Sequence, residues 1–133
     1  MFDAMNLAAG GLSAQRTRMD VIAGNVANLN TTRATRQADG TFLPYRRKVA
    51  LLQTTEDLGV KVAEVADDAS DFNVRYDPGH PDADPRTGTV SYPNVDLSTE
   101  SVNMLEATRA YEANISLVQT SKSMFNASLR LLA

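Results

Sequence analysis

The chain has no cysteine and no tryptophan, and His80 is its only histidine. Without cysteine it can form no disulfide, no thiolate metal site and no thiol nucleophile. A Ser-His-Asp triad would have to use His80, and no Walker, dinucleotide-binding or Gly-x-Ser-x-Gly motif is present. The sequence therefore predicts a protein that is not an enzyme and that needs no cofactor.

His80 lies in a loop rich in proline and aspartate, residues 77–85, which is the one candidate for a metal site. An imidazole close to several carboxylates could bind a divalent cation. However, the spacing from Asp82 and Asp84 to Gly88 lacks the loop glycine and the terminal glutamate of a calcium-binding loop. Because three prolines also restrict the backbone, we interpret this segment as a rigid turn and expect no bound metal.

Long apolar runs are also absent. Residues 1–5 include no basic residue and no continuous apolar core of the kind found in secretory signal peptides. No run of 18 apolar residues occurs, so we expect no transmembrane helix and no direct membrane insertion. We expect the protein to stay in the cytosol or to leave it by a route that reads no cleaved signal.

Charge is distributed unevenly along the chain. The net charge is −3, which argues against a general nucleic-acid-binding protein. Residues 1–36 carry four basic and two acidic groups, residues 37–96 carry six and eleven, and the remainder carries three of each. The basic run Arg46-Arg47-Lys48 is interpreted either as the exposed edge of a strand or as a contact to an acidic partner. The acidic stretch 67–84 of a neighbouring copy is one candidate for that partner.

The segment Leu97–Leu132 contains neither proline nor glycine, which favours one long helix. Apolar side chains recur at alternating steps of three and four residues, a heptad-like pattern typical of a helix that packs on a partner helix. Such a helix would extend about 54 Å, whereas a compact protein of this size is roughly 36 Å across. We predict Ser98 as its N-cap, Leu97 and Val102 as a hydrophobic staple, and Glu100 as a favourable charge for the helix dipole.

Residues 3–29 repeat this pattern and predict a second long helix. Its weak point is Gly10-Gly11, since each glycine costs about 1 kcal/mol relative to alanine inside a helix. We interpret this pair as a hinge or fray point, with a small-residue patch for a close helix contact as the alternative.

The middle of the chain predicts short strands. Residues 31–41 are expected to form an exposed polar linker, and residues 45–52, 60–65, 72–76 and 88–92 are expected to form one small antiparallel sheet. The predicted fold is mainly α with a small β insert, elongated, with the N- and C-terminal helices packed as an antiparallel coiled-coil-like pair. Residues 1–30 are predicted to form an N-terminal axial helix, residues 31–96 a linker with a β domain, and residues 97–133 a C-terminal axial helix.

Five motifs resemble those of the bacterial flagellar basal-body rod family, and together they cover nearly the whole chain. They are Arg16–Thr32, Pro44–Lys48, Tyr76–Ala83, Tyr92–Asp96 and Val102–Asn114. The residues that carry the resemblance are Asn25, Asn28, Asn30, Arg46, Tyr92, Pro93, Asn94, Glu106, Tyr111 and Asn114. Many relatives follow the Asn-Thr run with Gly-Phe or Gly-Tyr, but this chain has Thr32-Arg33-Ala34. That departure favours the proximal rod C subfamily over rod G or hook-type relatives.

The resemblance implies a structural subunit of the drive shaft that joins the membrane rotor to the hook. Such subunits are exported unfolded through the flagellar type III apparatus and polymerise in the periplasm with copies of themselves and other rod proteins. The alternative from the residues alone is a non-catalytic helical-bundle adaptor that binds one partner helix.

In both interpretations, rod subunit and adaptor, we predict that apolar residues of the two helices contact the partner. These are Met5, Leu12, Met19, Ile22, Val26, Leu29, Met104, Tyr111, Ile115, Leu117, Val118, Met124, Phe125, Leu129 and Leu132. A second stripe for neighbouring subunits is predicted at Ala107, Ala110, Ala113, Leu117, Met124 and Leu131.

Overall fold

Two long helices at the ends of the chain enclose six short strands in the computed structural model of the protein. The structure describes residues 2–56 and 59–132, and the side chains of residues 2, 131 and 132 lie outside its described part. Helix α1 spans Phe2–Ala27 and helix α2 spans Leu97–Leu132. The strands are β1 (Thr35–Arg36), β2 (Phe42–Leu43), β3 (Lys48–Thr54), β4 (Val60–Asp67), β5 (Asn73–Tyr76) and β6 (Thr89–Tyr92). The predicted class, two terminal helices around a small β insert, is confirmed.

The two helices pack against each other in opposite directions. Near one end of the pair Asn25 of α1 hydrogen-bonds Glu100 of α2. Further along, the backbone of Gly11 faces the side chain of Asn114. Moving back by 14 residues in α1 therefore corresponds to moving forward by 14 residues in α2, which is the geometry of an antiparallel pair.

Helix α2 is longer than its partner, with 36 residues against 26. Each residue back along α1 from Asn25 corresponds to one residue forward along α2 from Glu100. On this register the first residue of α1, residue 2, faces residue 123 of α2. Residues 124–132 of α2 therefore extend beyond the start of α1. We call this segment the overhang. At 1.5 Å per residue it is about 13 Å long.

The start of α2 is capped by a residue other than the predicted one. Asp96 Oδ1 accepts a 2.7 Å hydrogen bond from the backbone N–H of Thr99, so Asp96 and not Ser98 is the N-cap. The same backbone hydrogen bond lowers the pKa of Asp96 from its ordinary value. Leu97 and Val102 are 51% and 58% exposed, so the predicted hydrophobic staple is wrong as well.

The glycine pair lies inside a continuous helix, so the hinge interpretation is wrong. A Cβ on Gly11 would lie 2.8 Å from Asn114 Nδ2 of α2, and one on Gly10 would lie 3.1 Å from the carbonyl oxygen of Val60 in β4. Both distances are shorter than ordinary van der Waals contact. The glycines therefore allow α2 and β4 to approach the α1 backbone closely, as the alternative interpretation predicted.

This geometry predicts different effects for two alanine substitutions in α1. Gly24→Ala should raise the free energy of unfolding by about 1 kcal/mol, because alanine is the better helix former and its Cβ would meet nothing within 4 Å. Gly11→Ala should be stabilised less than Gly24→Ala, because its Cβ would lie 2.8 Å from Asn114 Nδ2 and the amide of Asn114 would have to move. Urea denaturation of both variants measures the difference, and equal stabilisation by both would contradict the close contact.

Within the described residues the strands form three separate two-stranded antiparallel ribbons, not the single sheet that we predicted. Strand β1 pairs with β2, β3 with β4 and β5 with β6. The ribbon β1–β2 begins inside the segment predicted as a linker, and Gly40 in its turn has a positive φ of 87°, a conformation that favours glycine. Alternation of polar and apolar residues indicates that a segment is extended, but it does not indicate which strand pairs with it. The predicted organisation in a single sheet was wrong for this reason.

No helix in the described part of the chain is long and apolar enough to cross a membrane.

Candidate functional site

The polar side chains of Asn25 and Glu100 are fully buried where α1, α2 and the β insert meet. Asn25 Nδ2 donates to the carbonyl oxygen of Lys48 at 2.8 Å and to Glu100 Oε2 at 3.0 Å. Its Oδ1 accepts from the N–H of Lys48 at 2.9 Å and from Tyr45 Oη at 3.0 Å. These four bonds use both donors and both lone pairs of the amide. Asn25 therefore joins the end of α1 to the start of β3 and to α2.

Glu100 also forms an ion pair with an arginine of the β insert. Its Oε1 lies 2.7 Å from Arg47 Nε, and Arg47 Nη1 lies 3.0 Å from Asp68 Oδ2. Partial burial opposes the charge of Arg47, but hydrogen bonds to Glu100 and Asp68 outweigh it and raise the pKa of Arg47 above its ordinary value. The pKa of Asp68 is lowered, first by hydrogen bonds from Ser70 and then by Arg47. We call Asn25, Arg47, Asp68 and Glu100 the polar junction.

The polar junction corrects two of our predictions. Glu100 is not a surface charge that favours the helix dipole, since it is 0% exposed and paired with Arg47. The acidic partner proposed for the basic run Arg46-Arg47-Lys48 is present, but it lies in the same chain. Asp68 comes from the predicted acidic stretch, so the chemistry was correct and the choice of a neighbouring copy was wrong.

Two family-motif residues hold the chain after β4 against this junction. Asn94 Oδ1 accepts from the N–H of Arg47 at 2.8 Å, and its Nδ2 donates to Ser70 Oγ at 2.8 Å. Arg46 Nη1 donates to the carbonyl oxygens of Asp68 and Ser70. The guanidinium of Arg46 also lies 4.3 Å from the centroid of the Phe72 ring, within cation–π range. These contacts join the segment before β3 to the segment after β4 and to the segment that leads into α2.

The other family-motif residues lie apart from the polar junction. Asn28 accepts from Thr31 and donates to the carbonyl oxygen of Gly24 at the end of α1. Pro93 is buried and accepts from Asn73, Glu106 pairs with Arg18 at 3.3 Å, and Asn114 faces Gly11. Tyr92 meets the ring of His80 edge-on, Tyr111 is half-buried, and Asn30 is exposed. The structure therefore brings Asn25, Arg46 and Asn94 together and leaves the rest spread along the molecule.

His80 stabilises the proline-rich loop. Its Nδ1 accepts a 3.1 Å hydrogen bond from the N–H of Asp82, and its ring meets that of Tyr92 edge-on with centroids 6.0 Å apart. Burial alone would raise the pKa of Asp82, but hydrogen bonds from Thr32 and Arg33 outweigh it and lower that pKa. These bonds tie the loop to the segment after α1. Within the described residues no three His, Asp or Glu side chains are arranged to hold a metal ion.

The predicted partner-contact residues fall into three classes of exposure. Ile22 is buried, and Met5, Leu12, Met19, Leu29, Met104, Tyr111, Ile115 and Val118 are half-buried. Val26, Leu117, Met124, Phe125 and Leu129 are exposed, and the side chain of Leu132 lies outside the described part. Ala107 is 0% exposed, so it is not available for the predicted second stripe. The exposed members are concentrated toward the overhang.

The two ends of the chain, which form the helical pair, match family models of flagellar basal-body rod proteins. Residues 5–35 match the family model described as "Flagella basal body rod protein". Residues 86–131 match the model described as "Flagellar basal body rod FlgEFG protein C-terminal". The two matches cover most of α1 and of α2, so both ends of the chain carry the family's pattern.

Full-length relatives identify the family. The chain is 40% identical to the flagellar basal-body rod protein FlgC of Bacillus subtilis, with 98% of this chain and 97% of the relative covered. The FlgC proteins of Borreliella burgdorferi and Yersinia enterocolitica are 39% and 36% identical, over 99% and 98% of this chain and 97% of each relative. The chain belongs to the FlgC family, and it is a structural subunit of the flagellar basal-body rod.

Proposed function

We propose that this chain polymerises through its terminal helices with copies of itself and with other rod proteins, as part of the periplasmic drive shaft. The observation that carries the proposal is the exposure of large apolar side chains on α2, where Leu117, Met124 and Leu129 are 57%, 59% and 49% exposed. Exposed apolar surface of this kind is a mark of protein interfaces. An elongated, coiled-coil-like helix pair formed by residues 1–30 and 97–133 would present this surface along the rod, with residues 31–96 as a separate β domain.

The proposal includes export through the flagellar type III apparatus without cleavage. Mass spectrometry of the chain recovered from purified basal bodies tests this step, with the mass of the uncleaved chain as the expected result. A shorter chain that has lost its N-terminal segment would contradict export without cleavage.

A motility assay tests the polymerisation. In a Bacillus subtilis strain that lacks its own FlgC, we expect the chain to restore swimming and to be recovered in basal bodies. Met124→Asp should abolish both, because it places a charge on an exposed apolar surface that must be desolvated in the polymer. The matched control is Ser123→Asp, which places the same charge one residue earlier, at an exposed position that is already polar, and it should still restore swimming.

Two results would contradict the proposal. One is the absence of the wild-type chain from basal bodies. The other is a discrete dimer at all concentrations in light scattering, which is the behaviour of an adaptor that binds one partner helix. Circular dichroism must show native helicity for Met124→Asp, so that its failure reports lost assembly and not lost folding.

A further inference from the structure

The ribbon β1–β2 has no packed face. All residues of its two strands are exposed. The two chain crossings at its base meet where the N–H of Tyr45 donates to the carbonyl oxygen of Thr31 at 2.9 Å. We call residues 32–44 the arm. Because a two-stranded ribbon is only marginally stable by itself, the orientation of the arm depends on contacts at its base.

One carboxylate makes those contacts. Asp82 Oδ2 accepts a 2.8 Å hydrogen bond from Thr32 Oγ1, and Asp82 Oδ1 pairs with Arg33 Nε. Among the described residues, these are the only hydrogen bonds and ion pairs between the arm and the rest of the chain. The guanidinium of Arg33 also lies 5.4 Å from the centroid of the Phe42 ring, within cation–π range. Arg33 therefore connects Asp82 to strand β2.

The proline-rich loop holds Asp82 in place. The N–H of Asp82 donates to His80 Nδ1, and the ring of His80 meets that of Tyr92 in β6. The N–H of Asp84 donates to the carbonyl oxygen of Thr89 in β6 at 2.9 Å. The Asp82 carboxylate is therefore tied to the ribbon β5–β6, and its bonds to the arm determine where the arm lies.

An open pocket separates the arm from the start of β3 and the end of β4. Its volume is about 350 Å³. The arm contributes Ala34, Thr35 and Leu43 to its lining, and the rest of the chain contributes Lys48, Asp67 and Phe72. Leu43 is 37% exposed and Phe72 is half-buried, so apolar surface of both parts borders the open space. Movement of the arm into the pocket would remove this surface from water, which is favourable.

We propose that Asp82 is a latch that holds the arm away from this pocket, and that the arm closes over the pocket when the latch is released. Two opposing effects set the position of the arm. Charge-assisted hydrogen bonds at its base favour the latched position, and burial of Leu43 favours the closed one. The latched arm leaves Phe42 and Leu43 45% and 37% exposed. The device lies within a single chain, so it goes beyond the proposed rod function and does not depend on it.

Double electron–electron resonance between two spin labels tests the latch. The chain has no native cysteine, so labels can be attached specifically at Ala38→Cys and Ala69→Cys. Ala38 lies in the turn of the arm and Ala69 lies between Asp67 and Phe72 in the chain, and both alanines are exposed. We expect one main distance in this labelled chain. Adding Asp82→Ala should shorten the main distance by several ångströms.

The matched control is Asp84→Ala, which removes a carboxylate from the same loop. Asp84 Oδ1 accepts from the N–H of Arg86 within the loop, so we expect the distance to stay the same. From the side of the arm, Arg33→Met should shorten the distance, whereas Arg36→Met, at an exposed position of β1, should not. Combining Arg33→Met with Asp82→Ala should add little to the effect of Asp82→Ala, because both remove the same contact.

Three results would overturn the proposal. One is an unchanged distance in Asp82→Ala with the circular dichroism of the labelled parent. Another is an equal change in Asp84→Ala, which would indicate general loosening of the loop. The third is a broader distribution with no shorter component, because the arm would then be released without closing over the pocket. If Asp82→Ala does not fold, Arg33→Met decides, since the Arg33 side chain is 50% exposed. Absence of the chain from basal bodies would contradict only the rod function.

Discussion

Arg47→Met is expected to lower the free energy of unfolding by about 3 kcal/mol, because it leaves the buried carboxylate of Glu100 without a cation. Removing one partner of a buried ion pair costs about 3–5 kcal/mol. We expect the lower end of that range since the Arg47 side chain is 20% exposed. Equilibrium urea denaturation followed by circular dichroism measures this loss, and the thermal midpoint should fall with it.

Two further variants show whether the buried charge causes the loss. Arg18→Met removes an ion pair whose side chains are 29% and 62% exposed, so it should cost less than about 1 kcal/mol. Adding Glu100→Gln to Arg47→Met should recover part of the loss, because a neutral amide can still accept the hydrogen bond from Asn25. An Arg18→Met variant as unstable as Arg47→Met, or no recovery in the double variant, would contradict the role assigned to the polar junction.

Ile22→Asp is expected to prevent stable folding of the helix pair and to abolish motility in the complementation assay. Ile22 is 5% exposed, and the loss of its side chain together with the burial of an unpaired carboxylate should cost about 4 kcal/mol or more. The new carboxylate would also line one apolar surface pocket together with Glu100, and the two negative charges would repel each other. Such a loss is a large fraction of the 5–15 kcal/mol that stabilises a typical domain. Circular dichroism and thermal unfolding measure the effect.

Leu105→Asp is the matched control for folding. Leu105 is 51% exposed on α2, so the same charge placed there should leave helicity and the thermal midpoint close to those of the wild-type chain. Ile115→Asp lies between these two variants, because Ile115 is half-buried. Swimming restored by Ile22→Asp, or equal unfolding of Leu105→Asp, would show that the packing face of α1 is assigned incorrectly.

The helices were predictable because their signals are local. Spacing of apolar residues and the absence of proline and glycine gave segments 3–29 and 97–132, close to the observed Phe2–Ala27 and Leu97–Leu132. The two glycines were harder to interpret. From the sequence alone, Gly11 only lowers the helix propensity. In the structure, glycine is favoured at this position because Asn114, a residue more than 100 positions away, packs closely against the backbone of Gly11.

The polar junction was not predictable for the same reason. Asn25 was identified only as a family-motif residue, and Glu100 was assigned as a favourable charge for the helix dipole, since that is the role its position near the start of α2 suggests. Their actual partners are separated from them by 20 to 75 positions. One signal was available, because the basic run around Arg47 called for an acidic partner and the chain itself supplies Asp68 and Glu100.

Periodicity, composition and motifs thus established two long terminal helices, a β insert, the absence of thiol chemistry and membership of the rod family. Those features depend on residues close together in the chain or on the identity of each residue. Three features depend on contacts between distant segments: the burial of Glu100, the pairing of the strands in three ribbons, and the register of the two helices. Such contacts are fixed by how the packed surfaces fit together, and this fit exists only once the chain has folded.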